Sequence, residues 1–163
     1  MNEVYLLIGG NMGNRLSYFN AAKLLIEIHI GKIVLESSIY ETEAWGIKNQ
    51  SEFLNQCLKI ESKCSPKEIL IQILKIEETL GRIRSRKFGP RYIDIDILFY
   101  NNKIIKTEQL TIPHPEIQNR KFALIPLLEI SSTLIHPVLG QNMTDLLENC
   151  TDILDVKKFS GTK

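Results

Sequence analysis

Two aspartates and a run of basic residues occur together in the short range 82–96. Asp94 and Asp96 lie in YIDIDILFY, whose alternating β-branched and aromatic residues are typical of a β-strand. Residues two apart on a strand share a face and lie about 7 Å apart, at about 3.3 Å of rise per residue. Two carboxylates placed in this way repel each other unless a positive charge lies between them. The pair therefore predicts either a cation site or the solvated face of an edge strand.

The segment GRIRSRKFGPR, which precedes that strand, is unusually rich in cations, and its glycines and proline predict a loop. Arginine's planar guanidinium group matches phosphate oxygens, and Mg²⁺ prefers one or two carboxylates together with phosphate oxygens and water. An arginine run alone is more often a solvated loop. Next to the aspartates, however, it predicts a site for a phosphate chain with divalent metal ions. The basic residues are Arg82, Arg84, Arg86, Lys87 and Arg91.

Further candidates for chemistry lie outside this region. His114 is held between two prolines in IPHPEIQNR, with Arg120 downstream. This arrangement suits a side chain positioned to donate a hydrogen bond to a phosphate group. Alternation in FLNQCLKIES places Phe53, Asn55 and Cys57 on one strand face, where Asn55 could donate to and accept from a planar heterocycle. The glycine-rich GGNMGNR lacks the spacing of a Walker or GxGxxG motif, so an ordinary strand-to-helix turn is the better interpretation.

The elements that must position these groups alternate in a recognisable order. The best delimited is the helix SPKEILIQILKIEETLG, with Ser65 as N-cap, Pro66 in the first turn and Glu68 completing a capping box. The order β-α-β-β-α-β predicts an α+β fold with a ferredoxin-like βαββαβ core, and the proline-rich remainder predicts C-terminal additions to it. The predicted segments are EVYLLIGG, NRLSYFNAAKLLIEIHIG, KIVLESSIYET, FLNQCLKIES, SPKEILIQILKIEETLG and YIDIDILFY.

Length and composition bound the class of protein. A chain of 163 residues with a net charge of +1 fits one domain, residues 1–163, and is not a basic polyanion-binding protein overall. Three cysteines without a CxxC pair argue against a disulfide framework or zinc site and favour a reducing compartment. No leader or membrane-spanning segment is recognisable in the sequence. We therefore expect a cytoplasmic monomer without membrane or nucleic-acid partners.

The stretch GRIRSRKFGPRYIDIDILFY, together with IGGNMGNR and IPHPEIQNRKFALIPLLEI, resembles the 6-hydroxymethyl-7,8-dihydropterin pyrophosphokinase family of folate biosynthesis. The resemblance extends from the first strand to about residue 137, and its two central motifs are highly specific. It implies a ferredoxin-like fold and transfer of the terminal pyrophosphoryl group of ATP to the hydroxymethyl oxygen of the pterin, with release of AMP. It also implies that ATP is the co-substrate and that two Mg²⁺ ions take part.

The resemblance also implies roles for individual residues. Asp94 and Asp96 are expected to be the metal ligands, and Arg82, Arg84 and Arg91 to be catalytic. The expected nucleotide contacts are Glu77, Arg82, Arg84, Arg91, His114 and Arg120. The expected pterin contacts are Thr42, Trp45, Gly46, Phe53, Asn55 and Phe122.

Two other functions fit parts of the sequence. Ferredoxin-like sheets with basic loops also bind RNA, but such domains carry exposed aromatics on the central strands, which are missing here. A regulatory nucleotide-binding domain without turnover is the second alternative, and release of AMP would exclude it.

Overall fold

The computed structural model describes residues 1–43, 50–83 and 89–161. The strands are β1 (Asn2–Gly10), β2 (Gly31–Glu36), β3 (Tyr40–Thr42), β4 (Phe53–Ser62), β5 (Asp94–Tyr100), β6 (Ile105–Lys106), β7 (Thr111–Ile112) and β8 (Val156–Lys158). The helices are α1 (Arg15–His29), α2 (Pro66–Thr79), α3 (Lys121–Ile130) and α4 (Met143–Glu148), with a 3₁₀ turn at Ile117–Asn119 before α3. Among the described residues, no helix is long and apolar enough to cross a membrane.

The main sheet has the strand order β5-β1-β4-β3-β8, and β2 also pairs with β4. All of its pairings are antiparallel. The strands β6 and β7 form a separate hairpin. The predicted βαββαβ core is confirmed, because the elements from β1 to β5 follow that order with the second strand divided in two.

The division of the second strand differs from the single strand predicted over KIVLESSIYET, and it has a tertiary cause. The Ser37 hydroxyl accepts a hydrogen bond from Cys57 N at 2.9 Å, and the amide of Ser38 donates to the Glu129 carboxylate at 2.6 Å. These side-chain contacts interrupt the strand between β2 and β3, although the amide of Ser37 still donates to the Cys57 carbonyl at 2.9 Å. The partner Glu129 lies far along the chain, so local propensity does not reveal the break.

The helix ends follow the predicted local chemistry. Ser65 Oγ accepts from Glu68 N, and the Glu68 carboxylate accepts from Ser65 N, so the predicted capping box is present. Asn14 caps α1 by accepting from Ser17 N. Gly81 follows α2 with a φ of +88°, a left-handed conformation that favours glycine.

The two faces of the sheet carry different side chains. We call the face covered by α1 and α2 the helix-packed face; its buried aliphatic residues include Leu6, Ile8, Ile26, Leu58, Ile60 and Ile73. We call the opposite face the site face. The helices α3 and α4 cover part of it, over a second apolar cluster that includes Leu7, Cys57, Leu98, Phe99, Leu124 and Met143. The predicted alternation of β4 is confirmed, because Cys57 and Leu58 belong to opposite faces.

Candidate active site

Gly9 brings two predicted site residues together on the site face. It pairs with Asn55 of β4 on one side and with Asp94 of β5 on the other. A Cβ atom at this position would lie 2.5 Å from Asn55 Oδ1 and 3.1 Å from Asp94 Oδ1. Both side chains therefore converge over the glycine, in space that any larger residue would occupy. Leu7, two residues earlier, pairs with Asp96, so both aspartates project from the same face as Asn55.

Arg91 links Asp94 to an aromatic ring. Its Nε donates to Asp94 Oδ2 at 2.6 Å, and its guanidinium carbon lies 4.7 Å from the centroid of the Phe53 ring. Its Nη1 also donates to the Gly89 carbonyl at 2.6 Å, which fixes the side chain at the start of β5. The predicted metal ligand Asp94 and the predicted pterin wall Phe53 thus touch the same guanidinium group.

The aspartate pair has the electrostatics of a cation site. Burial raises the pKa of Asp94, the charge on Asp96 raises it further, and Arg91 and Arg82 oppose these effects. A bound cation would stabilise both carboxylates in the ionised form. Within residues 1–43, 50–83 and 89–161, no three His, Cys, Asp or Glu side chains form a metal-binding group. Two carboxylates completed by phosphate oxygens and water suit Mg²⁺, so the residues present fit that ion.

Glu77 is a buried carboxylate at the end of α2 that accepts hydrogen bonds from a side chain and from the backbone. Its Oε2 accepts from Arg82 Nη1 at 2.6 Å and from the backbone amide of Ile95 at 2.9 Å. Glu77 therefore joins α2, the start of the basic loop and β5. Through these contacts Glu77 positions Arg82. A direct contact of Glu77 with a nucleotide stays a prediction.

His114 and Arg120 lie near the aspartates on the segment that leads to α3. Burial and the charge of Arg120 lower the pKa of His114 to about 4, against the opposite influence of Glu116 and Asp94. The imidazole is therefore neutral at pH 7. Its Nδ1 accepts from Glu116 N at 3.1 Å, which leaves the ring proton on Nε2, available for donation to an acceptor such as a phosphate oxygen. Burial lowers the pKa of Arg120, and the negative charge of Asp96 opposes this effect by stabilising the charged guanidinium group.

The predicted pterin contacts are distributed over three elements. Phe53 and Asn55 are buried at the start of β4, and Phe122 is half-buried in the first turn of α3 with Arg120 over its ring at 5.7 Å. The Thr42 hydroxyl donates to the Asp155 carbonyl at 3.0 Å, so that group serves an internal contact. The predictions for Trp45, Gly46 and Arg84 fall outside the described residues, as do Arg86 and Lys87.

Asn11 organises the site, although no motif in the sequence indicates this role. Its backbone amide donates to the Arg91 carbonyl at 2.9 Å, and its Oδ1 accepts from Arg91 N at 3.0 Å. Its Nδ2 donates to Gln50 Oε1 and to the Ser51 carbonyl. One amide side chain thus holds Arg91 beside the residues that precede β4. The only signal in the sequence is the position of Asn11 directly after the two glycines of β1.

A groove of about 1160 Å³ opens between α2 and the β6–β7 hairpin. One end contains Glu77, Arg82 and Asp96, whereas apolar residues such as Leu70 and Leu110 line its sides. Of the two aspartates, Asp96 lines the groove, so a ligand bound there would reach the Asp96 carboxylate.

Comparison with known proteins decides the family. A family model described as 7,8-dihydro-6-hydroxymethylpterin-pyrophosphokinase (HPPK) matches residues 5–132. The chain belongs to the HPPK family. It is 46% identical over 140 residues to the 2-amino-4-hydroxy-6-hydroxymethyldihydropteridine pyrophosphokinase of Aquifex aeolicus (strain VF5), covering 85% of this chain and 86% of that protein. The resemblance inferred from the motifs is confirmed.

HPPK sequences also occur within longer proteins. The chain is 39% identical over 149 residues to the folic acid synthesis protein fol1 of Pneumocystis carinii, matching 91% of this chain but 20% of that protein. A crystal structure of a Plasmodium falciparum HPPK-DHPS triple mutant with STZ-DHP superposes with a TM-score of 0.75 at 19% identity, over 90% of this chain and 43% of that one. The structural likeness confirms the α+β fold.

Proposed function

We propose that the protein transfers the terminal pyrophosphoryl group of ATP to the hydroxymethyl oxygen of 6-hydroxymethyl-7,8-dihydropterin, as a step in folate biosynthesis. The contact network of Arg91 carries the proposal. Its guanidinium group bonds to Asp94 and lies over Phe53, which gives the phosphate end and the heterocycle end of the site a shared boundary. A fold alone would not support this reaction, since one fold serves many functions.

The substrates fit the two sides of that boundary. The groove beside Glu77 and Arg82 suits the nucleotide, with its triphosphate directed to the aspartates. Phe53 offers a ring for stacking, and Asn55 beside it offers an amide donor and acceptor to the edge of the pterin. Phe122 is the proposed second aromatic contact.

In the proposed reaction, the hydroxymethyl oxygen attacks the β-phosphorus of ATP. A new bond from that oxygen to phosphorus forms, the bond to the oxygen between the α- and β-phosphorus breaks, and AMP leaves with that oxygen. The hydroxyl proton is released to solvent. Such transfer depends chiefly on alignment and on stabilisation of charge at the phosphate oxygens.

The residues of the chain serve these two needs. Asp94 and Asp96 would hold Mg²⁺, which would neutralise phosphate charge and acidify the hydroxyl group. Neutral His114 donates from Nε2, and Arg82, Arg91 and Arg120 supply positive charge to phosphate oxygens. Glu77 holds Arg82 in place by the bond at 2.6 Å. Arg84 is assigned to the same task.

Product analysis tests the proposal. The protein is incubated with Mg-ATP and 6-hydroxymethyl-7,8-dihydropterin, and the nucleotides and pterins are separated by chromatography. We expect AMP and the pterin diphosphate in equal amounts, and neither product without the pterin. ADP as the sole nucleotide product would refute the proposal.

Several further expectations stay predictions: the two bound Mg²⁺ ions, the monomeric state, the cytoplasmic location and the absence of nucleic-acid or membrane partners.

A further inference from the structure

The segment that follows α4 connects the start of α3 with an edge of the main sheet. It lies beyond residues 5–132, the part of the chain that the family model matches. The segment from Asp152 to Phe159 first meets the start of α3 and then pairs with β3 as strand β8. We call this segment the C-terminal clasp. The two elements that it joins carry Phe122, a proposed pterin contact, and Thr42, which the family resemblance predicts to be one.

At its first end, the clasp supplies a cap that α3 lacks. The first amides of a helix have no partner within the helix, and an N-cap side chain normally accepts from one of them. Arg120 stands at the N-cap of α3 without such a bond, and the first turn contains no acidic residue. Instead, Asp152 Oδ2 accepts from Lys121 N at 3.0 Å. Its negative charge also interacts favourably with the helix dipole.

The Asp152 side chain is itself fixed. Its other oxygen, Oδ1, accepts from the amide of Leu154 at 3.0 Å, so the carboxylate bridges the clasp and the helix. Lys121 is flanked directly by Arg120 and Phe122. A cap at this amide therefore sets the start of the turn that carries both side chains.

At its second end, the clasp extends the sheet. Thr42 pairs with Val156 and Tyr40 with Lys158, and the Thr42 hydroxyl donates to the Asp155 carbonyl at 3.0 Å. The amide of Phe159 donates to the Ile39 carbonyl at 2.8 Å. The β3 strand is thus held between β4 and β8. Its end at Thr42 is fixed relative to Phe53, with which it pairs.

We propose that Asp152 is a positioning residue for pterin binding, which caps α3 from the clasp and thereby places Phe122 opposite the β3–β4 side of the site. The inference rests on the proposed function for the identity of the ligand. Asp152 acts through Lys121 N and the first turn of α3, and it contacts neither substrate. The clasp holds the end of α3 that carries Phe122, whereas Glu129 near the other end of the helix bonds directly to Tyr40 of β3.

Three variants test the inference in the full-length protein. Asp152→Ala removes the acceptor, and Asp152→Asn retains a side-chain oxygen at the same place. Asp155→Ala is the matched control, because Asp155 is exposed and contacts Thr42 through its backbone carbonyl. The pterin Kd is measured by the fluorescence of 6-hydroxymethyl-7,8-dihydropterin with a non-hydrolysable Mg-ATP analogue, well below each melting temperature. Steady-state AMP formation gives kcat and the KM for the pterin.

We expect Asp152→Ala to raise the pterin Kd and KM on the order of fivefold, the size of a lost helix cap, with kcat changed less than about twofold. Asp152→Asn should retain most of the affinity, and Asp155→Ala all of it. If Asp152→Ala lowers only the melting temperature and leaves the pterin Kd unchanged, the residue is merely structural and the inference is wrong. A parent protein that neither binds nor converts the pterin would instead refute the proposed function, and the ligand assigned here with it.

Discussion

The helix-packed face and the site face of the sheet are built by the same strands but differ in what their residues do. On β5, Ile95 and Ile97 are buried in the aliphatic cluster under α1 and α2, whereas Asp94 and Asp96, which alternate with them, face the site. On β1, Ile8 is likewise buried and Gly9 opens the site beside it. Period-two alternation thus separates stability from chemistry at adjacent positions. A substitution on the helix-packed face should therefore lower mainly stability, and a substitution at the adjacent position on the site face should lower mainly activity.

The largest expected effect is on activity, at Asp96. Asp96→Asn removes a charged ligand from the proposed metal site, and we expect AMP formation to fall by about a thousandfold, equivalent to several kcal/mol of lost charge stabilisation. The melting temperature without Mg²⁺ should stay within a few degrees of the parent's. The reason is that the variant loses repulsion from Asp94 and attraction to Arg120 together.

The neighbouring position supplies the control for that experiment. Ile97→Val should lower the free energy of unfolding by about 1 kcal/mol and leave kcat/KM close to the parent value. The measurements are urea unfolding and AMP formation with Mg-ATP and the pterin. Normal turnover in Asp96→Asn would eliminate the metal assignment and return the pair to a solvated strand face. Reduced turnover in Ile97→Val would show that the two faces are not separable.

Local rules in the sequence predict one part of this arrangement well. The cap at Ser65, the shared face of Asp94 and Asp96, and the shared face of Asn55 and Cys57 follow from the geometry of helices and strands. These features depend on residues a few positions apart, so composition and spacing are enough to find them.

Features that depend on distant partners were not predictable in the same way. The register that places Gly9 between β4 and β5, the role of Asn11 at Arg91 and the cap from Asp152 all join residues far apart in the sequence. The sequence also does not predict the helix α3, because it contains Pro126 and proline usually interrupts helices. The roles assigned to individual residues come from the family resemblance, and the contacts among these residues come from the fold.

Two adjacent glycines sharpen the comparison further. In Gly9→Ala the new methyl group meets the Asn55 and Asp94 side-chain oxygens, so we expect kcat/KM to fall about 10- to 100-fold as these site groups are displaced. In Gly10→Ala it would clash with the Tyr92 carbonyl oxygen, a backbone atom. That variant should lose stability first. The ratio of activity loss to stability loss, from kinetics and urea unfolding, is expected to be much higher for Gly9→Ala; equal ratios would contradict the division between the faces.

The smallest expected effect concerns the covered part of the site face. His136 is buried beside Phe99, with the two rings 5.6 Å apart, and its Nδ1 accepts from the amides of Val138 and Leu139. Burial lowers the pKa of His136 below its ordinary value of 6.5. The unfolded chain therefore binds a proton more readily than the folded chain as the pH falls below about 6.5. In this window the contribution of His136 to stability decreases with decreasing pH.

A His136→Asn variant isolates that contribution, because the asparagine oxygen can accept from the same amides without titrating. Urea unfolding of parent and variant at pH 7.5 and pH 5.5 measures the pH-dependent part of the free energy of unfolding. We expect the parent to lose more stability on acidification than the variant, by at most about 1.4 kcal/mol, because pH 5.5 lies about one unit below the ordinary pKa of the imidazole in the unfolded chain. The other titrating groups, including Asp94 and His114, are common to both proteins and cancel in the difference. An equal or greater loss in the variant would show that the imidazole titrates alike in the folded and unfolded chains. The packing of His136 against Phe99 would then not depend on a neutral imidazole.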